Sequence, residues 1–333
     1  MGIGRRVLIA GGLTAAMVAR PARAEVVLRA VSGVPTASPI AQVFVRYMDR
    51  VNERARGVVR IQYIGGPEVT PSPRQPAALQ RGLFDMLYTP GAFYAGEVPE
   101  VDAVLGSNRS IAEMRANGGV DALSEVWVRR LGARILGWFD TTVAFHFFFA
   151  RRPPEGPNGL DLSGIRMFTT PTFRDLQVAL GATPVTMALG EIRQSMERGV
   201  IQGFGWPNFG MLGIGLEAVA KVRVDPDFYR GNSLVLINEQ RWAALPAEVR
   251  AALDEAARGW EAESAAFIDA ERQREAAVLA QNGMDVLRLS PAMGSRYLGM
   301  AYGFPWTRLA QRAPDTAPAL RGLLFDEARL RTT

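Results

Sequence analysis

The stretch from Pro246 to about Asn282 reads as one unbroken helix, started by the proline and stopped by Gly283. At 1.5 Å per residue such a helix spans roughly 50 Å, more than one small lobe needs. The chain is therefore expected to build two lobes with this helix laid across both. Its length agrees, because a chain of this size buries most of its apolar surface and commonly divides into two domains.

The residues before the helix supply those lobes. Val26 to Val31 reads as a strand, and Ser38-Pro39 opens a helix whose Ile40, Val43, Phe44, Tyr47, Met48 and Val51 recur at helical spacing. Strands follow at Val58 to Ile64 and Phe84 to Tyr88, with a short helix at Arg74 to Arg81 between them. Ile111 to Leu131 reads as one helix, Arg134 to Phe139 as a strand, and Val143 to Phe149 as a strand buried on both faces. After the proline-rich loop Arg151 to Gly159 the alternation restarts, with strands at Ile165 to Thr169, Pro184 to Met187 and Val200 to Gly205. Helices Pro171 to Leu180 and Glu191 to Arg198 separate them, and Ser233 to Asn238 is a further strand. Two α/β units with largely parallel sheets are the expectation.

The amino terminus carries Arg5 and Arg6, an apolar run from Val7 to Val18, and Ala22-Arg23-Ala24. This is the order of a secretory signal, with cleavage expected near Ala24 and a periplasmic product. The Arg5-Arg6 pair leaves Sec and twin-arginine export both open. Residues 1–24 hold four arginines and no acid, so the net charge of +5 less those four leaves +1 for the rest. That balance argues against a nucleic-acid partner, which needs clustered cations. The chain contains no cysteine and one histidine, His146, which leaves neither a thiol nucleophile nor a usual zinc set.

Enzyme motifs are sparse. No G-x-S-x-G elbow occurs, and His146 is the one histidine available as a base, so a triad hydrolase is a remote third reading. Gly213 to Ala218 matches a dinucleotide fingerprint by letters but falls in a helical segment rather than after a strand. Asn108-Arg109-Ser110 matches a glycosylation acceptor by coincidence. His146 lies in an apolar strand, where a core histidine bonded to backbone is the plain reading. Arg166 sits on a strand near a loop, either as an ordinary surface ion pair or as a ligand group at a strand end.

One ordered set of features decides between these. Leu162 to Pro207 reads LSGIRMFTTPTFRDLQVALGATPVTMALGEIRQSMERGVIQGFGWP, with Arg81-Gly82-Leu83-Phe84-Asp85 before it and LVLINEQRWAALPAEV from Leu234 after it. In these the chain resembles, over nearly its whole length, the DctP-type solute-binding subunit of tripartite ATP-independent periplasmic (TRAP) transporters. The resemblance implies a two-lobe periplasmic binding protein fold with crossover strands and a long helix spanning both lobes. It places lobe I at 25–143 plus 233–272 and lobe II at 144–232 plus 273–333.

The same resemblance implies a receptor, not an enzyme, that closes on a small organic acid and delivers it to integral membrane permease subunits. Docking on a signalling receptor is the alternative. Arg166 takes the position of the carboxylate anchor, where a rigid guanidinium fits a planar acid. His146 becomes a second ligand contact and Trp206 a wall of the cleft. Tyr88 and Ser32 would face the ligand from lobe I, and Phe148 with Trp206 hints at an aromatic or branched acid. Gly205 stands where metal-binding members carry an acid, so no metal is expected, and no cofactor; Gln202 replaces another acid, so the hydrogen bonding of the lobe II cleft is expected to differ. A monomer or weak homodimer completes the expectation.

Overall fold

A computed structural model describes residues 24–331, so the signal-peptide reading lies outside the described residues. In chain order, β1 (Val26–Ser32) leads into α1 (Pro39–Arg54), which Ser38 caps by accepting the Ala41 N–H at 3.2 Å. Next come β2 (Val59–Gly65), α2 (Gln75–Gln80), β3 (Met86–Pro90) and α3 (Val101–Leu105). The expected helix at 111–131 is two helices, α4 (Ile111–Ala116) and α5 (Gly119–Leu131). Asn117 ends the first, and Gly118 at φ 80° takes the left-handed turn that separates them.

The chain continues through β4 (Ala133–Trp138), β5 (Phe145–Phe149) and a two-rung hairpin of β6 (Glu155–Gly156) and β7 (Gly159–Leu160). Then come β8 (Arg166–Phe168), α6 (Pro171–Ala179), β9 (Thr183–Val185), α7 (Ile192–Glu197), β10 (Gly203–Pro207), β11 (Val222–Asp225) and β12 (Ser233–Asn238). The last elements are α8 (Glu239–Ala244), α9 (Ala247–Gln281), β13 (Asp285–Arg288), α10 (Pro291–Arg312) and α11 (Ala317–Leu324).

Two sheets form. Lobe I holds the order β2-β1-β3-β12-β4 and lobe II the order β13-β11-β5-β10-β8-β9. The chain passes from lobe I to lobe II between β4 and β5 and returns between β11 and β12, which are the two expected crossovers. Helix α9 crosses as the sequence predicts: Val249, Leu253 and Ile268 enter the lobe I core, and Leu279 enters that of lobe II. Near its far end Glu275 accepts the backbone N–H groups of Gly210 and Met211 at 2.6 and 2.8 Å, fixing the loop that follows β10. The carboxyl-terminal segment departs from expectation. Trp306, Leu309, Leu320 and Leu324 pack into the lobe I core beside Trp127 and Leu123, so the tail after Trp306 belongs to lobe I.

The crossovers are tied to each other. Trp138 Nε1 donates to Asp140 Oδ1 at 3.0 Å and to the Gly231 carbonyl at 2.8 Å. The Ser233 N–H donates to Asp140 Oδ2 at 3.0 Å, and the Gly231 N–H to the Val143 carbonyl at 2.7 Å. Arg230 Nη1 adds a bond to the Thr141 carbonyl at 2.6 Å. The strands run so close that a Cβ on Gly231 would lie 2.3 Å from the Asp140 carbonyl oxygen. Burial pushes the Asp140 carboxyl up to about 6, although its hydrogen bonds pull the other way.

Two outcomes follow. Gly231→Ala should lose about 1–3 kcal/mol in urea unfolding because backbone must move, whereas Gly96→Ala, with nothing within 4 Å of its Cβ, should stay near wild type. Equal effects of the two would contradict the close crossover. For Asp140, a folded pKa above the ordinary 3.8 means that its charging is disfavoured by folding. Its contribution is greatest below about pH 4 and is lost as pH rises to about 6, by up to about 3 kcal/mol. Asp140→Asn should therefore gain on wild type over that window, measured as the difference in unfolding free energy at pH 4 and pH 7; a pH-independent difference would refute it.

Candidate functional site

The strand ends that face each other across the lobes define the site. In lobe I these are the ends of β1 and β3, at Ser32 and Thr89. In lobe II they are the exits of β8 and β10 and the entry of β5. Because β10 runs antiparallel to β5, Trp206 pairs with His146 and Phe204 with Phe148, and strand alternation puts all four side chains on one sheet face. Phe148 stacks on Phe204 with ring centroids 5.6 Å apart, and both are buried in a core with Phe168, Ile192 and Met196. Trp206, one rung nearer the edge, is partly exposed and packs against that core.

Beside this rung opens a cavity of about 350 Å³, lined by His146, Asn208, Arg223, Asp225, Asp227 and Arg272, with α9 as its outer wall. His146 is buried, and its Nδ1 meets the Val224 carbonyl at 2.8 Å and Asp225 Oδ1 at 3.3 Å. Desolvation lowers its pKa, opposed by the nearby Asp227, so the ring is neutral at neutral pH. Arg223 is bidentate to Asp225 at 2.9 and 3.0 Å. Two arginines and two aspartates thus face one cavity with balanced charge.

Several polar atoms at these strand ends are buried with no hydrogen-bond partner among the described residues. On lobe II they are Trp206 Nε1 and both Nδ2 and Oδ1 of Asn208; on lobe I they are the Tyr88 hydroxyl, Thr89 Oγ1 and Gln75 Oε1. An unmade hydrogen bond in a buried place costs about 1–3 kcal/mol, so a cluster of them marks where a polar partner fits. The lobes also meet here: Phe209, directly after Asn208, packs in the lobe I core, against which Val34 and Ile40 also lie.

The structure does not bring Arg166 to this place. Met167 pairs with Gly203 and Phe168 with Phe204, so Arg166 opens β8 beside Gln202, four residues upstream of Trp206 and roughly 13 Å along the strand. Its Nε donates to the Val200 carbonyl at 2.6 Å and its Nη2 to the Gly199 carbonyl at 2.8 Å. Gln202 Oε1 accepts the Arg166 N–H at 2.9 Å, so both residues serve the turn after α7 on an exposed edge. The anchor expected at Arg166 is corrected on this ground: it stands at the entry of its strand, where the cleft lies at the exit.

The other expected residues divide. His146 and Trp206 share the rung, and Phe148 lies one level beneath as floor. Tyr88 is wholly buried and its ring stacks on Phe44 at 5.3 Å, so the ring is core, while its hydroxyl is one of the unpartnered buried atoms at the strand ends of lobe I. Ser32 is also fully buried; its Oγ accepts the Val34 N–H and its carbonyl accepts Gln75 Nε2, so it shapes the loop after β1. Gly205 faces the core, since a Cβ there would lie 2.9 Å from the Phe173 ring, and an acid at this position would not reach the cleft. Among the described residues no group of three or more carboxylates or histidines is set to hold a metal ion. Sequence reasoning missed Asn208 and Arg223. The alternation Val222-Arg223-Val224-Asp225, with both charged side chains on one face of a short strand, was the signal for the second.

Two α/β lobes, joined by two strand crossovers and enclosing polar strand ends, define the class of solute-capturing receptors that close around a ligand. Residues 30–296 match the bacterial extracellular solute-binding protein family 7, DctP, and the chain belongs to that family. It is 26% identical over 245 residues to the C4-dicarboxylate-binding periplasmic protein DctP of Rhodobacter capsulatus, covering 71% of this chain and 72% of that one. It is also 26% identical over 188 residues to an uncharacterized protein of Sinorhizobium fredii, covering 55% of this chain and 35% of that protein, so it spans about a third of that relative. In fold it is similar to a TRAP periplasmic solute binding protein of Desulfovibrio desulfuricans with bound sn-glycerol-3-phosphate, at a TM-score of 0.77 and 17% identity, covering 92% and 98% of the two chains. The family is one of binding receptors rather than an enzyme class, and no helix of the described residues is long and apolar enough to cross a membrane.

If His146 is structural on one side and cleft-facing on the other, its protonation should be felt. A base whose folded pKa lies below its ordinary 6.5 stabilises the fold above that pH and loses the contribution as pH falls below it. His146→Gln should therefore close its stability gap to wild type between pH 7.5 and pH 5, read by urea unfolding; a gap that widens on acidification would contradict the desolvated ring.

Proposed function

We propose that this protein is a periplasmic receptor that captures a small organic anion between its lobes and delivers it to the integral membrane subunits of a TRAP transporter. The observation that carries the reading is the pair of residues with unpartnered buried atoms at the exit of β10, Trp206 with its Nε1 and Asn208 with its side-chain amide, with Thr89 and Gln75 left unpartnered in the other lobe. A carboxylate offers acceptors to the indole N–H and the amide N–H together, and the tryptophan ring supplies an apolar face for the body of the ligand. The R. capsulatus relative, described as C4-dicarboxylate-binding, and the D. desulfuricans neighbour holding sn-glycerol-3-phosphate are in keeping with a small acid. Arg223, beside His146 on the same face, is the guanidinium placed to lend the site positive potential once its pairing with Asp225 is shared with a ligand.

Neutral donors and one shared arginine suffice for ordinary receptor affinity, since a micromolar constant needs only about −8 kcal/mol. Closure strengthens such bonds by excluding water.

A thermal-shift screen of the protein against mono- and dicarboxylates, keto acids and aromatic acids, with sugars and amines as controls, tests this. At about 100 times its dissociation constant a true ligand adds about 2.7 kcal/mol. With the best acid, Trp206→Phe should bind about 5- to 10-fold more weakly by losing one N–H, and Asn208→Asp should abolish binding by like charge. Arg166→Ala should bind within about twofold of wild type. Loss of binding in Arg166→Ala with normal binding in Asn208→Asp would overturn the site.

A further inference from the structure

Helix α10 belongs to both lobes. Tyr297, Leu298 and Ala301 of its first half lie in the lobe II core with Phe147 and Phe228, whereas Trp306 and Leu309 of its second half lie in the lobe I core with Trp127. Pro305 stands inside the helix at the change from one lobe to the other. A proline there removes one backbone donor and presses on the carbonyl four residues back, that of Ala301, which makes the point of passage also the helix's softest point. Thr307 Oγ1 bonds back to the Gly303 carbonyl at 2.9 Å, a pattern that bends helices further.

One turn beyond the joint, Arg308 holds carboxylates from the two lobes at once. Its Nε and Nη2 make a fork with Asp102 of α3, in lobe I, at 3.2 and 2.6 Å, and its Nη1 reaches Asp175 of α6, in lobe II. The two contacts are unequal. Asp102 has a side chain 8% exposed, so breaking its fork would strand a buried charge, and Arg308 moves with lobe I. Asp175 is 37% exposed and takes a single bond, so it is the contact that can open. Beside the bridge a cavity of about 240 Å³ separates Ala92, Ala95 and Val101 of lobe I from Pro171 and Thr172 of lobe II, leaving room for relative movement.

We propose that Arg308–Asp175 is an interlobe latch, hung on the Pro305 joint of α10, that sets the balance between lobe separations. Its partners are the carboxylates of Asp102 and Asp175 rather than Trp206 or Asn208, so it acts on the affinity for all solutes alike. When only one lobe arrangement is competent, the apparent dissociation constant is the intrinsic one divided by the competent fraction, and a latch changes that fraction without touching the ligand. The affinity arm of this inference rests on the receptor reading above; the lobe-spacing arm does not.

The test uses the full chain, which has no cysteine and so accepts two at chosen places. Spin labels at Glu125→Cys in α5 and Gln194→Cys in α7, both exposed, report the distance between lobes by electron–electron resonance without any solute. Asp175→Asn keeps the buried Arg308–Asp102 pair and should shift or broaden that distance distribution, while Asp175→Glu should restore it. In titrations with each acid that binds, Asp175→Asn should change every dissociation constant by one common factor of about 2 to 10. An unchanged distance distribution would overturn the latch, and so would a factor that differs from acid to acid, which belongs to a direct ligand contact. If no acid binds, the receptor reading fails while the distance measurement still decides the latch.

Discussion

Asp140 accepts the Trp138 indole N–H and the Ser233 backbone N–H, and so ties the chain's first passage between lobes to its second. The whole architecture depends on that bond set. Each lobe has its own sheet and core, but the strands of one are continued by the other through these two short segments. Were they independent, the lobes would be beads on a string; because they are stapled, with Gly231 allowing backbone to lie against Asp140, the lobes share one axis. Helices α9 and α10 span the same gap from other directions, the first held to the β10 loop by Glu275 and the second jointed at Pro305. Movement between lobes is thereby limited to what these connections permit, which is how a binding cleft can open without unfolding.

That axis explains where the site sits. The exits of β1 and β3 and of β8 and β10 converge on the gap, as ligand sites do at the carboxyl ends of strands in open α/β sheets. The rung Trp206–His146 is the last but one of the β10–β5 ladder, with Phe148, Phe204 and Phe168 as a packed floor beneath it. Such a floor is stiff, so the unpartnered Trp206 Nε1 and Asn208 amide are held in place rather than free to find partners of their own. In the proposed receptor the energetic penalty of these unmade bonds is what a solute relieves.

Much of the fold was legible because local signals and global packing agree. Ser38-Pro39 and the spacing from Ile40 to Val51 specify α1, and the stretch after Pro246 specifies α9, because capping and periodicity are local properties. The split at Gly118 was missed since apolar spacing continues across it, while the backbone turns left-handed at one residue. The tail after Trp306 is amphipathic whichever lobe it covers, and only tertiary contact with α3 and α5 settles which. The site was less legible for a related reason. Spacing along Ile165 to Thr169 tells that Arg166 is on a strand, but not which end of a three-residue strand meets the cleft; that is fixed by the pairing of Met167 and Phe168 with Gly203 and Phe204, 36 residues on. Tyr88 and Ser32 were placed at the right strand ends but on faces that turn into the core, and Asn208 carried no charge or motif to draw notice.

Hydrogen–deuterium exchange with and without the strongest acid of the screen tests the account most directly, because it reports where the solute is held without altering any side chain. Slowed exchange confined to the amides at 33–36, 91–93 and 208–211, with Gly199 to Gln202 unchanged, is the predicted result, since it places the solute between the ends of β1, β3 and β10. Protection centred on Gly199 to Gln202 and the start of β8, with the β10 exit unaffected, would contradict it and return the solute to Arg166.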